Sequence, residues 1–151
     1  MLLGTWQVSL EEQGRLMIPR PLRQSLHNGL VITRGFERCL QLCPAPFWQS
    51  LTQQVHRLSL GGTDERWLRR LLFAEADATT LDEQGAITIS LPLRDYAGLY
   101  HAGVLVGMDQ YLELWSPERW QECQATILAT AGHWSRRDWA IATSPRSAVS
   151  L

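Results

Sequence analysis

The side chains of this sequence that are best suited to binding chemistry are its cations, and all 14 of them are arginine. A guanidinium is a planar fork that matches a phosphate, a carboxylate or the edge of a guanine. A biased genomic base composition would also remove lysine, so composition alone leaves both explanations open. Residues 1–70 carry nine arginines against five acids, whereas residues 71–151 carry five against ten. The formal net charge of −1 therefore conceals two halves of opposite sign.

The cysteines and histidines show no spacing typical of a metal site or a catalytic centre. Cys39 and Cys43 lie four residues apart in an alternating segment, which places both on one face of a strand and favours buried thiols over metal ligands. Cys123 is remote from both, and the histidines are dispersed at positions 27, 56, 101 and 133. The sequence also lacks a nucleophile motif and a phosphate-binding glycine loop. We therefore expect no metal, no cofactor, no small-molecule substrate and no enzymatic activity.

Length and hydropathy predict one domain outside the membrane. The chain has 151 residues, of which 45% are hydrophobic. A chain of this size buries roughly two thirds of its unfolded surface on folding, so it needs neither disulfides nor a structural metal. No apolar stretch approaches the ~18 residues of a membrane span, and the first residues do not form a signal peptide. We therefore expect a cytoplasmic protein.

An internal repeat organises the chain. Residues 10–23 and 81–94 are identical at eight of fourteen positions. After one inserted residue the match resumes, so that Gly35, Leu40, Leu42 and Trp48 correspond to Gly107, Leu112, Leu114 and Trp120. The predicted organisation is a first module at 5–47, connecting helices at 48–76, a second module at 77–120, and a C-terminal helix with a weakly ordered tail at 121–151.

Each copy of the repeat predicts the same order of elements. Alternating apolar residues on both sides of a Glu/Asp-Glu-Gln-Gly turn indicate a hairpin, and Gly14 and Gly85 supply the positive φ that such a turn needs. Pro21 and Pro92 then suit the first residue of a short helix. Two further strands are predicted at 30–34 and 39–43, with counterparts at 103–107 and 111–115.

Helical spacing is found between the two copies as well. A second connecting helix is predicted to begin near Thr63, with its apolar residues along one stripe. Arg66, Arg69 and Arg70 lie away from that stripe. They suit contact with nucleic acid, a solvated helix face, or pairing with acids of a neighbouring subunit.

Neither copy can cover its own apolar face, because an isolated two-stranded hairpin is only marginally stable. Two copies in one chain can interleave, and each then removes the exposed strand edges of the other. The sequence therefore predicts an α+β protein, mainly β, in which two internal repeats form a small barrel with peripheral helices. Exposed arginines and tryptophans on those helices indicate a homo-oligomer.

The arrangement resembles the MraZ family of bacterial regulators, which are built from two SpoVT/AbrB-like modules. The segments that carry the resemblance are Gly4–Gln7, Leu10–Pro19, Thr33–Gly35, Cys39–Leu40, Pro44–Trp48, Arg66–Arg70, Leu81–Arg94, Val106–Gly107, Leu112–Trp115 and Trp120. The resemblance covers about 120 of the 151 residues, and the tail does not contribute to it. It implies a swapped-hairpin, AbrB-like fold related to double-psi barrels.

The resemblance also implies a function. Proteins of this family assemble as rings and bind double-stranded DNA at repeated boxes upstream of their own operon, the division and cell wall gene cluster. It thus implies a DNA-binding transcription regulator that is cytoplasmic and nucleoid-associated. The alternative is an oligomeric interaction protein or an antitoxin-like protein of the same fold with weakened DNA binding.

The family marks each hairpin turn with an acid and, four residues later, an arginine that usually follows Lys-Gly. In the first copy these positions are Glu11, Gln13, Gly14 and Arg15. In the second copy they are Asp82, Gln84, Gly85 and Ala86. The resemblance thus assigns both turns to DNA binding, but the second turn has lost its arginine and both have glutamine in place of the lysine.

The roles that the resemblance implies follow from the chemistry of these groups. A turn is narrow enough to enter a DNA groove, and Arg15 can reach a phosphate or a guanine while Glu11 holds its guanidinium. The alternative is a salt bridge within the turn and without a ligand, worth about 0–1 kcal/mol when exposed. Without an arginine in its own turn, Asp82 either repels phosphate or pairs with another arginine.

Three arginines that follow the hairpins are secondary candidates for phosphate contact: Arg20, Arg23 and Arg94. A guanidinium beside a turn can equally pair with acids nearby, such as Glu12 or Asp95. Both interpretations remain open at the level of the sequence.

Overall fold

The computed structural model describes residues 1–134 and residue 138. The chain divides into two compact units, Met1–Pro117 and Glu118–Leu151. All the strands of both copies lie in the first unit, and the described part of the second is almost entirely one helix. Most of the tail predicted at 132–151 lies outside the described residues.

Strands and helices follow the same order in the two copies, as the repeat predicts. The first copy contains β1 (Thr5–Ser9), β2 (Arg15–Met17), α1 (Arg20–Leu26), β3 (Leu30–Arg34) and β4 (Leu40–Pro44). The connecting helices are α2 (Ala45–His56) and α3 (Thr63–Phe73). The second copy contains β5 (Asp77–Thr79), β6 (Ala86–Thr88), α4 (Leu91–Ala97), β7 (Ala102–Gly107) and β8 (Leu112–Trp115), and α5 (Pro117–Ala131) follows.

The two copies exchange strands. A six-stranded antiparallel sheet has the order β1-β7-β8-β4-β3-β5, so the first strand of each copy pairs with the third strand of the other. The fourth strands, β4 and β8, pair with each other at the centre of the sheet. The prediction that the copies interleave is therefore confirmed.

The turn of each predicted hairpin forms, but the prediction that its two strands pair with each other is wrong. In the first copy an isolated bridge between Leu10 and Leu16 closes the turn, after which β1 pairs with β7 and β2 pairs with β6. Leu16 and Ile18 are fully buried in the same cluster as Ile87 and Ile89 of the other copy. Pairing across the copies thus removes both sets of apolar side chains from water, which a separate hairpin could not do.

The fold is mixed α+β rather than mainly β, since the described helices hold more residues than the strands. The predicted barrel is not seen among the described strands, which form one open six-stranded sheet and a two-stranded ribbon of β2 and β6. The ribbon strands have three residues each and pair with one another, so they do not join β1 to β5.

The short helices α1 and α4 begin one residue before the predicted prolines, at Arg20 and Leu91. Pro21 and Pro92 lie in the first turn of each helix, where a missing amide hydrogen costs nothing. α4 ends at Gly98, which adopts the left-handed conformation with φ of 66°. Each helix buries apolar side chains toward the core, among them Leu26 and Leu93. No helix in the described part of the chain is both long and apolar enough to cross a membrane.

Two of the three α3 arginines tie that helix to the segment before it. Arg69 Nη2 donates to the carbonyl oxygens of Val55 and Leu58, at 3.1 and 2.8 Å. Arg66 Nη1 donates likewise to Leu60 O and Gly61 O. These two guanidinium groups thus bond to carbonyls at the end of α2 and in the loop that follows, which none of the three interpretations anticipated, while contact with a neighbouring subunit stays a prediction.

The cysteines match the expectation of buried thiols. Cys39 and Cys43 are both buried, and burial raises the pKa of the Cys43 thiol to about 12. The described residues contain no group of histidine, cysteine and acidic side chains that could hold a metal ion.

Candidate nucleic-acid interface

The two candidate turns have the same backbone geometry. In the first, Gly14 N donates to Glu11 O at 2.8 Å and Glu11 N donates to Arg15 O at 2.9 Å. In the second, the equivalent bonds run from Gly85 N to Asp82 O and from Asp82 N to Ala86 O, both at 2.9 Å. Gly14 and Gly85 have φ of 82° and 85°, as predicted. The loss of the second arginine has therefore left the backbone of its turn unchanged.

The strand exchange brings these two turns together into one surface. Ile89 N donates to Gly14 O at 2.8 Å, and Ile18 N donates to Gly85 O at 3.0 Å, so each turn is bonded to the chain that leaves the other. The β2–β6 ladder places Arg15 opposite Thr88. We call this surface the paired turns, meaning residues 11–15 together with residues 82–86.

Arg23 and Arg94 support the backbone of the paired turns through hydrogen bonds and packing. Arg23 Nε donates to Ile18 O at 2.8 Å, and Arg94 Nε donates to Ile89 O at 3.0 Å. Each guanidinium also packs against the glycine of the opposite turn, because a methyl group at Gly85 would lie 2.5 Å from Arg23 Cζ and one at Gly14 would lie 2.6 Å from Arg94 Nε. Both arginines act as supports for the turn backbone.

Arg20, Arg23 and Arg94 were expected either to contact phosphate or to pair with nearby acids, and their surroundings differ. Arg94 Nη1 contacts Glu12, but through the backbone oxygen at 3.4 Å and not through the predicted carboxylate. Arg20 is exposed at the start of α1. Of the three secondary candidates, Arg20 is the one whose side chain is exposed to solvent.

The Arg15 guanidinium lies between the two turns, with 26% of its side chain exposed. Its Nε and Nη2 donate to Asp82 Oδ2 at 3.3 and 3.1 Å, and Nη2 also donates to Gln84 Oε1 at 2.5 Å. Within its own turn, Nη1 donates to Glu11 Oε1 at 3.4 Å. Of the two outcomes left open for Asp82, the second is found, since Asp82 pairs with the arginine of the other copy.

Asp82 is itself fixed by the backbone of its turn. Its Oδ1 accepts hydrogen bonds from Gln84 N and Ala86 N, both at 2.9 Å. The Ala86 amide, followed by that of Gln84 and by the Arg15 guanidinium, holds the pKa of Asp82 below its ordinary value against the opposing effect of desolvation. The carboxylate therefore stays ionised and has one oxygen left to face Arg15.

The paired turns carry more negative than positive charge. Glu11, Glu12, Asp82 and Glu83 are all exposed carboxylates, and Arg15 is the cation among residues 11–15 and 82–86. Gln13 and Gln84 add exposed amides that can donate or accept a hydrogen bond. Sequence reasoning placed all these residues but missed that Asp82 and Gln84 meet Arg15; the repeat offset combined with interleaving was the signal that could have found it.

Comparison with known proteins identifies a family for most of the chain. The family model described as "MraZ protein, putative antitoxin-like" matches twice, over residues 1–71 and 72–140. A protein from Thermomicrobium roseum is 42% identical over 132 residues, which cover 87% of this chain and 92% of the relative. One from Herpetosiphon aurantiacus is 44% identical over 121 residues, which cover 80% and 85%. One from a Roseiflexus species is 38% identical over 137 residues, which cover 91% and 96%. All three are named transcriptional regulator MraZ.

Proposed function

Since this chain belongs to the MraZ family, we propose that it regulates transcription by binding double-stranded DNA as a ring-shaped homo-oligomer. The target is the set of repeated boxes upstream of its own gene, in the division and cell wall gene cluster, and the protein acts in the cytoplasm on the nucleoid. The family consists of transcription regulators, so the chain is not an enzyme.

The observation that carries this proposal is the meeting of both candidate turns at one exposed surface around Arg15. A narrow double turn suits a DNA groove, and the guanidinium fork suits a phosphate or the O6 and N7 edge of a guanine. Glu11 contacts the same guanidinium from within the turn and can orient it. Gln13 and Gln84 supply side-chain amides, and Gly14 and Gly85 allow the tight backbone that presents them.

Affinity from a single subunit is weak on this proposal, because each subunit offers one arginine at the paired turns. A ring compensates for this weakness. Once one subunit is bound, its neighbours meet further boxes at a high effective concentration, so the contacts add without any single strong site. Arg20 adds an exposed cation at the start of α1 and is the remaining candidate for a phosphate contact.

The test is a titration of the full chain into labelled DNA from upstream of its own gene, with a scrambled duplex as control, across a series of salt concentrations. We expect preference for the native duplex and an affinity that falls with salt. Arg15→Ala should weaken binding sharply. Arg57→Ala is the matched control, since it removes an exposed arginine at the end of α2, outside the paired turns.

The salt series also separates the kinds of contact. If Arg15 binds a phosphate, its removal lowers the slope of log affinity against log salt by about 0.9 per contact, while loss of a base contact reduces the preference for the native duplex instead. Light scattering on the same sample gives the number of subunits in the ring.

The second candidate is an oligomeric interaction protein or an antitoxin-like protein of this family. The observation that favours it is the excess of carboxylates over cations at the paired turns, which opposes approach to a phosphate backbone. Equal and weak binding to both duplexes, unaffected by Arg15→Ala, would establish this candidate in place of the DNA regulator.

A further inference from the structure

One edge of the Arg15 guanidinium that is suited to binding DNA is already occupied within the protein. Bidentate recognition of a phosphate or a guanine uses two N–H groups on one edge of the fork. In Arg15 the Nε and Nη2 atoms of that edge both donate to Asp82 Oδ2, at 3.3 and 3.1 Å. A carboxylate of the second module thus accepts from both N–H groups of an edge that could otherwise bind a phosphate or a guanine.

This contact arises because the two copies are no longer identical. Ala86 stands at the repeat position of Arg15, so Asp82 has no guanidinium in its own turn. The Ala86 and Gln84 amides still hold Asp82 Oδ1, each at 2.9 Å, which fixes the carboxylate and turns Oδ2 toward Arg15. Gln84 Oε1 adds a third acceptor at 2.5 Å from Nη2.

We propose that Asp82 competes with DNA for Arg15, so that binding requires the exchange of the Asp82 carboxylate for a phosphate or a guanine. The second module then sets the affinity of the first, although it offers no arginine of its own at the paired turns. This inference rests on the proposed function and names the residue that limits it. It predicts that removing the Asp82 carboxylate strengthens DNA binding because Arg15 is released, and not only because a negative charge is lost.

The experiment compares Asp82→Asn with Glu83→Gln by DNA titration of the full chain. Both changes remove one negative charge from the same turn. The asparagine keeps an oxygen for the Gln84 and Ala86 amides but gives up the ionic contact with Arg15, whereas the Glu83 carboxylate is not among the groups that Arg15 contacts. We expect Asp82→Asn to raise the affinity about two- to fivefold more than Glu83→Gln does, which is the range that the loss of an exposed ion pair allows.

Repeating both changes in an Arg15→Ala background completes a double-mutant cycle. If Asp82 acts by holding Arg15, its substitution has no advantage over Glu83→Gln once the arginine is absent. Thermal unfolding of each variant checks that the paired turns remain folded.

Equal gains for Asp82→Asn and Glu83→Gln would overturn the inference, because simple charge repulsion would explain both. A loss of affinity in Asp82→Asn would also overturn it, by making Asp82 a support for Arg15 in the complex. The proposed function fails separately, when the native and scrambled duplexes are bound alike. If in that case no variant gains affinity for either duplex, the inference and the proposed function both fail, since the release of Arg15 then does not strengthen DNA binding.

Discussion

Replacing Gly14 by alanine should destabilise the protein more than the same change at Gly85, although the two glycines are equivalent in the repeat. Their φ values of 82° and 85° mean that an alanine costs about 1–2 kcal/mol at either position. The surroundings differ, however. A methyl group at Gly14 would lie 2.3 Å from the backbone oxygen of Ile89, whereas at Gly85 the nearest atoms belong to the end of the Arg23 side chain.

The magnitude follows from what has to move. Arg23 can swing away and forfeit its hydrogen bond to Ile18 O, which adds about 1 kcal/mol and brings Gly85→Ala to about 2–3 kcal/mol. The Ile89 carbonyl is backbone and cannot swing away. Gly14→Ala therefore adds an overpacking cost of about 1–3 kcal/mol and about 1 kcal/mol for the loss of the Ile89 N–H bond to Gly14 O, giving about 3–6 kcal/mol in total.

Urea unfolding of the two variants at one protein concentration measures this difference. With an m-value of about 2 kcal/mol/M, the Gly14→Ala midpoint should lie about 1 M below that of Gly85→Ala. Gly61→Ala is the control, because its methyl group meets no atom closer than 3.5 Å, and it should leave the midpoint almost unchanged. Equal midpoints for the two turn variants would refute the argument that backbone crowding distinguishes them.

Two further predictions concern single side chains. Arg69→Met should lower the free energy of unfolding by about 2 kcal/mol, because the guanidinium bonds to Val55 O and Leu58 O are lost. Arg70→Met is the control and should cost less, since it loses only a contact with the exposed Trp67 ring. Equal losses of stability for the two variants in urea unfolding would contradict this prediction. Glu113→Gln should stabilise the protein at neutral pH. Burial raises the pKa of Glu113 above its ordinary 4.5, so the native state holds the proton more tightly, and stability falls as the pH rises from about 4.5 through the native pKa. The advantage of the glutamine, measured as melting temperature, should therefore vanish near pH 4 and grow toward pH 7; an advantage that does not change with pH would contradict it.

Local structure could be predicted from the sequence because single residues determine it. Gly14 and Gly85 require positive φ, Pro21 lies in the first turn of a helix, and α3 begins at Thr63 as its apolar spacing indicates. Such signals act over a few residues, and the repeat supplied the glycine and proline signals twice. Strand positions were correspondingly close, with β3 matching its predicted bounds.

Strand partners could not be predicted in the same way. Alternation shows which side chains are buried but not which strand lies alongside, since any apolar face can cover Leu16. The structure pairs β2 with β6 instead of β1 because that choice covers both copies at once. The helix-connecting role of Arg69 was missed for a related reason, as its acceptors are backbone carbonyls that carry no sequence signal.

The candidate site shows the same division. The contact between Glu11 and Arg15 lies within one turn and was expected from the motif. The shorter contacts of Arg15, to Asp82 and Gln84, join residues 67 and 69 positions apart and depend on the exchange of strands. Comparing each turn separately with the family motif therefore identifies the residues of the site, but it does not show that Asp82 and Gln84 contact Arg15.

The exchange of first strands between the copies also bears on how such a chain could have arisen. A half-length chain with one copy would leave its first and third strands without partners, and it could complete this sheet only by meeting a second molecule. Joining two copies through α2 and α3 converts that encounter into an intramolecular step. The join also allows each half to diverge alone, so that Arg15 was kept in one copy while alanine stands at position 86 in the other. Duplication within one chain is thus what permits two related turns to carry unlike chemistry.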